Sequence, residues 1–283
     1  MNDITASRDS WWLASLGNTL IWARLRVRPA GTAEVLDSDG NTLSYDSADT
    51  ARSQLFDAEF VDRWAGAPDP RMFTPRAFAE TDLLWLDRLL ARDPFVTVLT
   101  TGSDGLPELT RMPVLYRRDG DRIELRGHWA RANPQSRHRG AAKVLVDGPH
   151  GYISASWYPD KEPAARVPTW NYAAAELRGQ LHTFDDTAAL AELVGAISDR
   201  FEASVGQAWQ FDGARTEHGP ELRAIIGFRF QVEHVQLKLK LSQNHPDANQ
   251  QAVVAALDAL ATPSSQELAQ WMRWHREQAA RSD

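Results

Sequence analysis

Leu237, Leu239 and Leu241 alternate with Lys238, Lys240 and Ser242 near the end of the stretch AIIGFRFQVEHVQLKLKLSQN. This period of two is the signature of a strand with one face in a core and one in solvent. Similar runs, each closed by turn residues, mark FVTVLTT (95–101), ELTRMPVLYRR, RIELRGH, KVLVDG (143–148), GYISASWY (151–158) and NYAAAELRGQLHTF (171–184) as strands. Asp104-Gly105 and Asp119-Gly120 separate the first three at hairpin spacing and predict an antiparallel meander. Two helical patterns interrupt the strands. Over residues 77–92, Phe78, Leu83, Leu84, Leu86, Leu89 and Leu90 line one side before Asp93-Pro94 stops the helix, and DTAALAELVGAISDRFEA carries Leu190, Leu193, Val194, Ile197 and Phe201 on one face. Six or seven strands with few helices predict a mainly β (α+β) fold closed as a barrel, since closure removes exposed strand edges.

The two ends of the chain read separately. Residues 20–46 form a small meander, LIWARLRV, TAEVLD and TLSYD, with turns at Pro29-Ala30-Gly31 and Ser38-Asp39-Gly40-Asn41. A helix follows, capped by Ser47 or Asp49, and the breaker-rich Gly66-Ala67-Pro68-Asp69-Pro70 predicts a domain boundary. Near the other end, Ser264-Ser265-Gln266-Glu267 resembles a capping box before a stripe of Leu268, Trp271, Met272 and His275. That stripe has two readings, docking on the chain's own barrel or a dimer contact. The expected organisation is an N-terminal meander and helix over 1–70, a barrel over 71–255 and a C-terminal helix over 256–283.

Composition narrows the chemistry. The chain has 283 residues, no cysteine and a formal net charge of -7. Cysteine nucleophiles, disulfides and thiolate metal sites are excluded, so redox chemistry requires a cofactor. The negative balance argues against direct DNA binding, which needs a concentrated basic surface. The first residues, MNDITASRDS, lack signal-peptide features, and no apolar run reaches the roughly 20 residues of a membrane span. The cytoplasm is the expected location. GxGxxG after a strand, GxxxxGK[ST], HExxH and GxSxG are all absent, and no histidine stands in a metal-ligand spacing.

Polar and aromatic residues do concentrate at predicted strand ends, in RGHWARANP (126–134), GPHGYISASWY (148–158), VPTWNY (167–172) and KLSQN (240–244). An anionic aromatic ligand such as a flavin mononucleotide wants guanidinium or ammonium groups for its phosphate, an aromatic slot for its ring and donors along the ring edge. Arg126, Arg131, Arg137 and Lys240 suit the phosphate. Asn133, Asn171, Ser242, Gln243 and Asn244 suit the ring edge and ribitol, and Trp157, Tyr158, Trp170 and Tyr172 suit the slot. Each has a structural alternative, because strand-end arginines form solvated ion pairs, buried amides satisfy backbone groups and strand tryptophans fill cores. The residues alone do not choose flavin over another anionic aromatic ligand.

The order of six blocks goes further. MFTPRAF (72–78), RDPFVTVLTT (92–101), LRGHWARANPQ (125–135), GPHGYISASWY, VPTWNY and KLSQN resemble, over roughly residues 71–255, the PaiB-type FMN-binding proteins, described as negative regulators of protease synthesis and sporulation. The resemblance implies an FMN-binding split barrel, a homodimer with FMN at the subunit interface, and His128, Arg131, Asn133, Trp157, Trp170, Asn171, Lys240, Ser242 and Gln243 at the family's motif positions. On motif position Arg131 is the expected phosphate contact, with Arg137 merely solvated. Arg111 joins the cofactor-binding set although the family usually has histidine there. The chain also departs at Ala155, where the family has proline, and at Glu176, near a family histidine. Two functions follow: redox chemistry by FMN on a small molecule or a nicotinamide cofactor, or a transcriptional regulator that holds FMN as a sensor. A plain flavin-storage module is a third reading.

Overall fold

The computed structural model describes residues 8–16, 19–58, 60–62, 72–206 and 209–282. The chain forms two compact units, Met1–Ala79 and Glu80–Asp283. The predicted breaker at 66–70 lies outside the described residues.

The first unit is an antiparallel sheet of β1 (Arg8–Leu16), β2 (Thr19–Val27), β3 (Ala33–Asp37), β4 (Thr42–Tyr45) and β5 (Val61–Asp62), ordered β4-β3-β2-β1-β5, with the helix α1 (Ala48–Asp57). Alternate positions Trp12, Ala14, Ala23, Leu25, Ala33 and Val35 are buried with Ala51 and Leu55 of α1. Ser47 caps that helix, its Oγ accepting from the Thr50 N–H at 3.1 Å. The strand β1 went unmarked by pattern, because the paired tryptophans of RDSWWLASL blur its alternation.

The short β6 (Ala79–Glu80) spans the division between the units. The second unit then runs through α2 (Leu84–Arg92), β7 (Phe95–Thr101), β8 (Pro107–Pro113), β9 (Leu115–Asp119), β10 (Arg122–Ala130), β11 (Gly140–Ile153), β12 (Thr169–Phe184), α3 (Thr187–Val205), α4 (Gly219–Arg223), β13 (Ile225–Lys240), α5 (Asp247–Leu260) and α6 (Pro263–Ser282). Strands follow the path β8-β7-β11-β12-β13-β10-β9 with antiparallel neighbours. Only Val114 connects β8 to β9, yet these strands stand at opposite ends of the path. The sheet therefore curls until its two edges meet at that corner, giving a barrel opened along one seam. ELTRMPVLYRR, expected as one strand, is two, because Pro113 has no N–H to continue a ladder and the Val114 N–H turns to the Pro94 carbonyl at 3.0 Å.

Inward-facing Val96, Val98, Leu125, Val144, Leu177, Phe228 and Phe230 form one core with Trp85 and Leu89 of α2, Val253 and Leu257 of α5, and Leu268, Trp271 and Met272 of α6. The α6 stripe thus packs into its own barrel. KVLVDG and GYISASWY also differ from expectation: β11 is one strand with an irregularity between Asp147 and His150, and Ala155–Trp157 is a 3-10 turn. A second irregularity lies between β12 and β13 at Arg178/Gly179, where a Cβ on Gly179 would stand 1.8 Å from the Gln231 carbonyl oxygen. Among the described residues no helix is long and apolar enough to cross a membrane.

Helix α2 begins later than its apolar pattern suggests. Glu80 Oε1 accepts from the N–H groups of Thr81 (2.7 Å) and Asp82 (2.9 Å), holding them outside the helix, and Asp82 then accepts from Leu84 at 2.9 Å. Such local bonds compete with helix at Asp and Glu-rich starts. Farther along, Asp87 ties α2 to β9, accepting from Tyr116 Oη at 2.7 Å and from Arg118 Nε at 2.9 Å. The Arg118 bond holds the Asp87 carboxyl below its ordinary range, against a smaller opposing effect of burial. An aspartate whose folded pKa is depressed contributes stability above its unfolded pKa and loses it as pH falls through the folded value. Asp87→Asn is expected to cost about 1–2 kcal/mol at neutral pH in urea unfolding, with the difference from wild type constant above about pH 4 and shrinking below it.

Candidate functional site

The seam brings two sheet edges together. Asn133 stands at the start of the 3-10 turn Pro134–Arg137, accepts from the Gln135 N–H at 3.0 Å and donates from Nδ2 to Thr110 Oγ1 of β8 at 2.9 Å. Buried Gln135 extends the join, donating to Thr100 Oγ1 and the Glu108 carbonyl, each at 3.1 Å. On β10, a Cβ at Gly127 would lie 2.8 Å from the Phe228 ring of β13, so a side chain there would have to displace that ring, while the Pro113 carbonyl oxygen at the end of β8 would stand at ordinary contact, 3.4 Å.

Next to it is His128, paired with Gly227 and half-buried. Its Nδ1 is buried and has no hydrogen-bond partner among the described residues. Burial pushes its pKa down, so the ring is neutral at neutral pH. Arg111 lies on the solvent side of β8, its guanidinium carbon 5.3 Å from the Phe95 ring centre, and takes part in no hydrogen bond or ion pair among the described residues.

The other arginines of this end behave differently. Arg131 donates from Nε to the Arg223 carbonyl at 2.8 Å and from a terminal nitrogen to the Ile225 carbonyl at 3.3 Å, with Asp185 at 3.4 Å. Its guanidinium ties β10 to the start of β13, a role that motif position did not reveal. Arg126 pairs with Glu192 of α3 at 3.0 Å. Arg137, expected to be solvated, is exposed with no such partner among the described residues.

The remaining candidates gather at the other end of the long strands. Trp170 is 53% exposed, with His150 and Tyr152 each 6.2 Å from it between ring centres. Lys240 donates to Thr169 Oγ1 at 2.9 Å, and Tyr172 sits opposite Lys240 under the Lys238 ammonium at 5.3 Å. Asn171 is buried and donates to Ser242 Oγ at 2.8 Å, while Ser242 holds a left-handed φ of 64°. Gln243 accepts from the Leu241 N–H at 2.7 Å and donates to the Leu239 carbonyl. Trp157 packs on the barrel core. Asn171, Ser242 and Gln243 therefore fix the turn after β13, while Trp170 and Asn244 are exposed and Lys240 is half-buried beside them.

Register separates the two groups. His128 pairs with Gly227, whereas Lys240 lies thirteen positions farther along β13. At about 3.3 Å per residue this is on the order of 30–40 Å once strand coiling is allowed for. Between the ends lies Glu176, buried at 5% exposure but met by Lys143 at 3.1 Å and Arg178 at 3.7 Å, so its charge is balanced within the sheet. Sequence reasoning missed Thr110, which carries no motif of its own, and the part of Gln135, which closes the block LRGHWARANPQ. The signal was the ANPQ turn after a strand, whose capping asparagine needed a partner on a neighbouring edge.

Residues 72–234 match the family described as "Putative FMN-binding domain". The chain belongs to this FMN-binding family. It is 31% identical over 205 residues to the Protease synthase and sporulation protein PAI 2 of Bacillus subtilis, covering 71% of this chain and 96% of that protein. An uncharacterized protein of Emericella nidulans is 26% identical over 243 residues, again with 71% and 96% covered. Among solved structures, the FAD and heme binding protein of Mycobacterium smegmatis is similar at 21% identity and a TM-score of 0.44, over 62% of this chain and 79% of that one.

The FMN-binding domain is thus a flavoprotein module with FMN as its cofactor. The seam fits that group: it offers an uncommitted guanidinium at Arg111 and an unpartnered buried imidazole nitrogen at His128. Arg131 is expected to act on stability. Arg131→Ala should lower the urea midpoint by an amount equivalent to roughly 1 kcal/mol, through loss of its bonds to the Arg223 and Ile225 carbonyls.

Proposed function

We propose that the protein uses bound FMN for redox chemistry on a small molecule or a nicotinamide cofactor, at a site completed by a second copy of the chain. Bound FMN supplies hydride and electron transfer. The chain's part is to hold the phosphate, seat the ring and present a donor to its pyrimidine edge. In this reading Arg111 meets the phosphate through a charge-assisted fork, and neutral His128 donates to the ring edge. The observation that carries it is the buried, unpartnered Nδ1 of His128 beside the seam, since such nitrogens are normally satisfied.

The separation of the two groups supports a dimer. One flavin cannot bridge the length of β13, but Trp170 and Lys240 of the partner subunit could close the slot over the seam. The outward side of β7 and β8 carries exposed apolar side chains. Leu109 is 63% exposed and Phe95 43%, and Leu99 pairs directly with Leu109. Exposed apolar side chains grouped in this way support an interaction surface.

A second reading keeps FMN as the ligand of a regulator. The name of the Bacillus relative, a protease synthase and sporulation protein, favours it. The net charge of -7 favours an indirect route to transcription over direct DNA binding.

Purification without added flavin should give a yellow protein, and anaerobic NADH or NADPH should bleach it. A yellow protein that neither nucleotide reduces would move the regulator ahead. Arg111→Ala is expected to weaken FMN by about 1.5–3 kcal/mol, the worth of a charge-assisted bond, and His128→Phe by about 0.5–1.5 kcal/mol. Fluorescence titration of the apoprotein measures both, and unchanged affinity in the two variants would remove the seam from the site. Leu109→Glu should turn a dimer into a monomer by light scattering and lower flavin content with it.

A further inference from the structure

Beyond the end of β13 the chain turns into α5, and His245 is the residue on which that turn closes. Its N–H donates to the Ser242 carbonyl at 3.0 Å, and its own carbonyl accepts from Gln250 Nε2 of α5 at 2.8 Å. The ring lies flat on Tyr158, 4.8 Å between ring centres and 15° from parallel, and Tyr158 is fully buried. His245 Nδ1 is buried too, with no hydrogen-bond partner among the described residues.

Charged groups surround this ring from several elements. The segment between β11 and β12 supplies Arg166 and Asp160, paired through Nε at 3.1 Å and Nη2 at 2.5 Å, and buried Asn249 of α5 donates to the same Asp160 at 2.7 Å. Lys240 ends β13, and Asp247 at the start of α5 is taken up by Arg276 of α6. Burial is the main effect that lowers the His245 pKa; Arg166 and Lys240 lower it further, and Asp160 opposes them. The Tyr158 hydroxyl is kept neutral by burial. The His245 ring is therefore neutral at neutral pH, with one unsatisfied nitrogen. As a cation it would gain from the Tyr158 face, yet it would carry a buried charged N–H without an acceptor, near two other cations.

The turn also holds the start of β12. Ser242 accepts from Asn171, the neighbour of Trp170, and Lys240 donates to Thr169. We propose that His245 is an acid-released latch: protonation of its ring opens the turn after β13 and loosens the start of β12, where Trp170 stands. In the open turn the ring returns to water, where an imidazole has a pKa of about 6.5. Between that value and the lower one of the closed turn, the open form binds more protons, so acid favours opening and neutral pH keeps the turn closed.

Hydrogen exchange read by mass spectrometry on the full-length, FMN-loaded protein tests this, with rates corrected for the intrinsic effect of pH. From about pH 7.5 to about pH 5, residues 240–250 and 169–173 should lose at least about threefold in protection, while β7 and β8 keep theirs. His245→Phe preserves the stack, cannot be protonated and should remove that loss. The sequentially assigned imidazole ¹H–¹³C resonance of His245 should titrate below about 6.5, which decides the matter if the variant does not fold. Unchanged protection in acid, the same loss in His245→Phe, or titration at or above that value would overturn the proposal.

Discussion

Val114 connects two strands that the hydrogen-bonded path places at opposite edges of one sheet. A one-residue link cannot cross a flat sheet seven strands wide, so curling follows from connectivity. Curling has a cost along the seam, where β8 and the β10–β9 side of the sheet meet without a backbone ladder between them. Side chains join the two sides instead, with Thr110, Asn133 and Gln135 as the stitches. A place where main-chain pairing lapses is also a place where a ligand can find polar partners. Arg111 and His128 stand beside it, on the solvent side.

The rest of the candidate set shows how often a polar residue at a strand end serves the fold. Arg131 secures the start of β13, and Asn171, Ser242 and Gln243 secure its end. These are opposite termini of one long strand, held by side chains that reach backbone or buried partners. Burial and commitment sort them from Arg111, His128 and Trp170, whose functional atoms have fewer internal obligations. The same criterion sets Glu176, balanced by Lys143 and Arg178, among the residues that serve the fold.

Much of the barrel was legible in the sequence because its strands alternate cleanly, as in LKLKLS, and because Asp-Gly turns punctuate them. Less legible were the features decided by tertiary context. Pro113 reads as one weak position within ELTRMPVLYRR, yet it divides two strands on opposite edges. Glu80 and Asp82 sit in a helical apolar pattern but take the backbone N–H groups for themselves. Asp247–Leu260 forms a helix whose buried Val253, Val254 and Leu257 offered too short a stripe to stand out. At the site, block order identified the flavin family, but which guanidinium is committed depends on where distant carbonyls lie, as Arg131 and Arg111 show.

Gly179 bears on all of this from the middle of β12. Its backbone lies so near Gln231 that even a methyl group would collide, and the strand register shifts at that point. The irregularity lies between the end of β12 that carries Trp170 and the end that pairs near His128's partner Gly227, so it affects how the aromatic end is directed relative to the seam. In the two-copy site we propose, that direction would set whether the two halves face each other. A side chain at Gly179 would force the β12–β13 backbones apart far from any of the candidate ligand-binding groups.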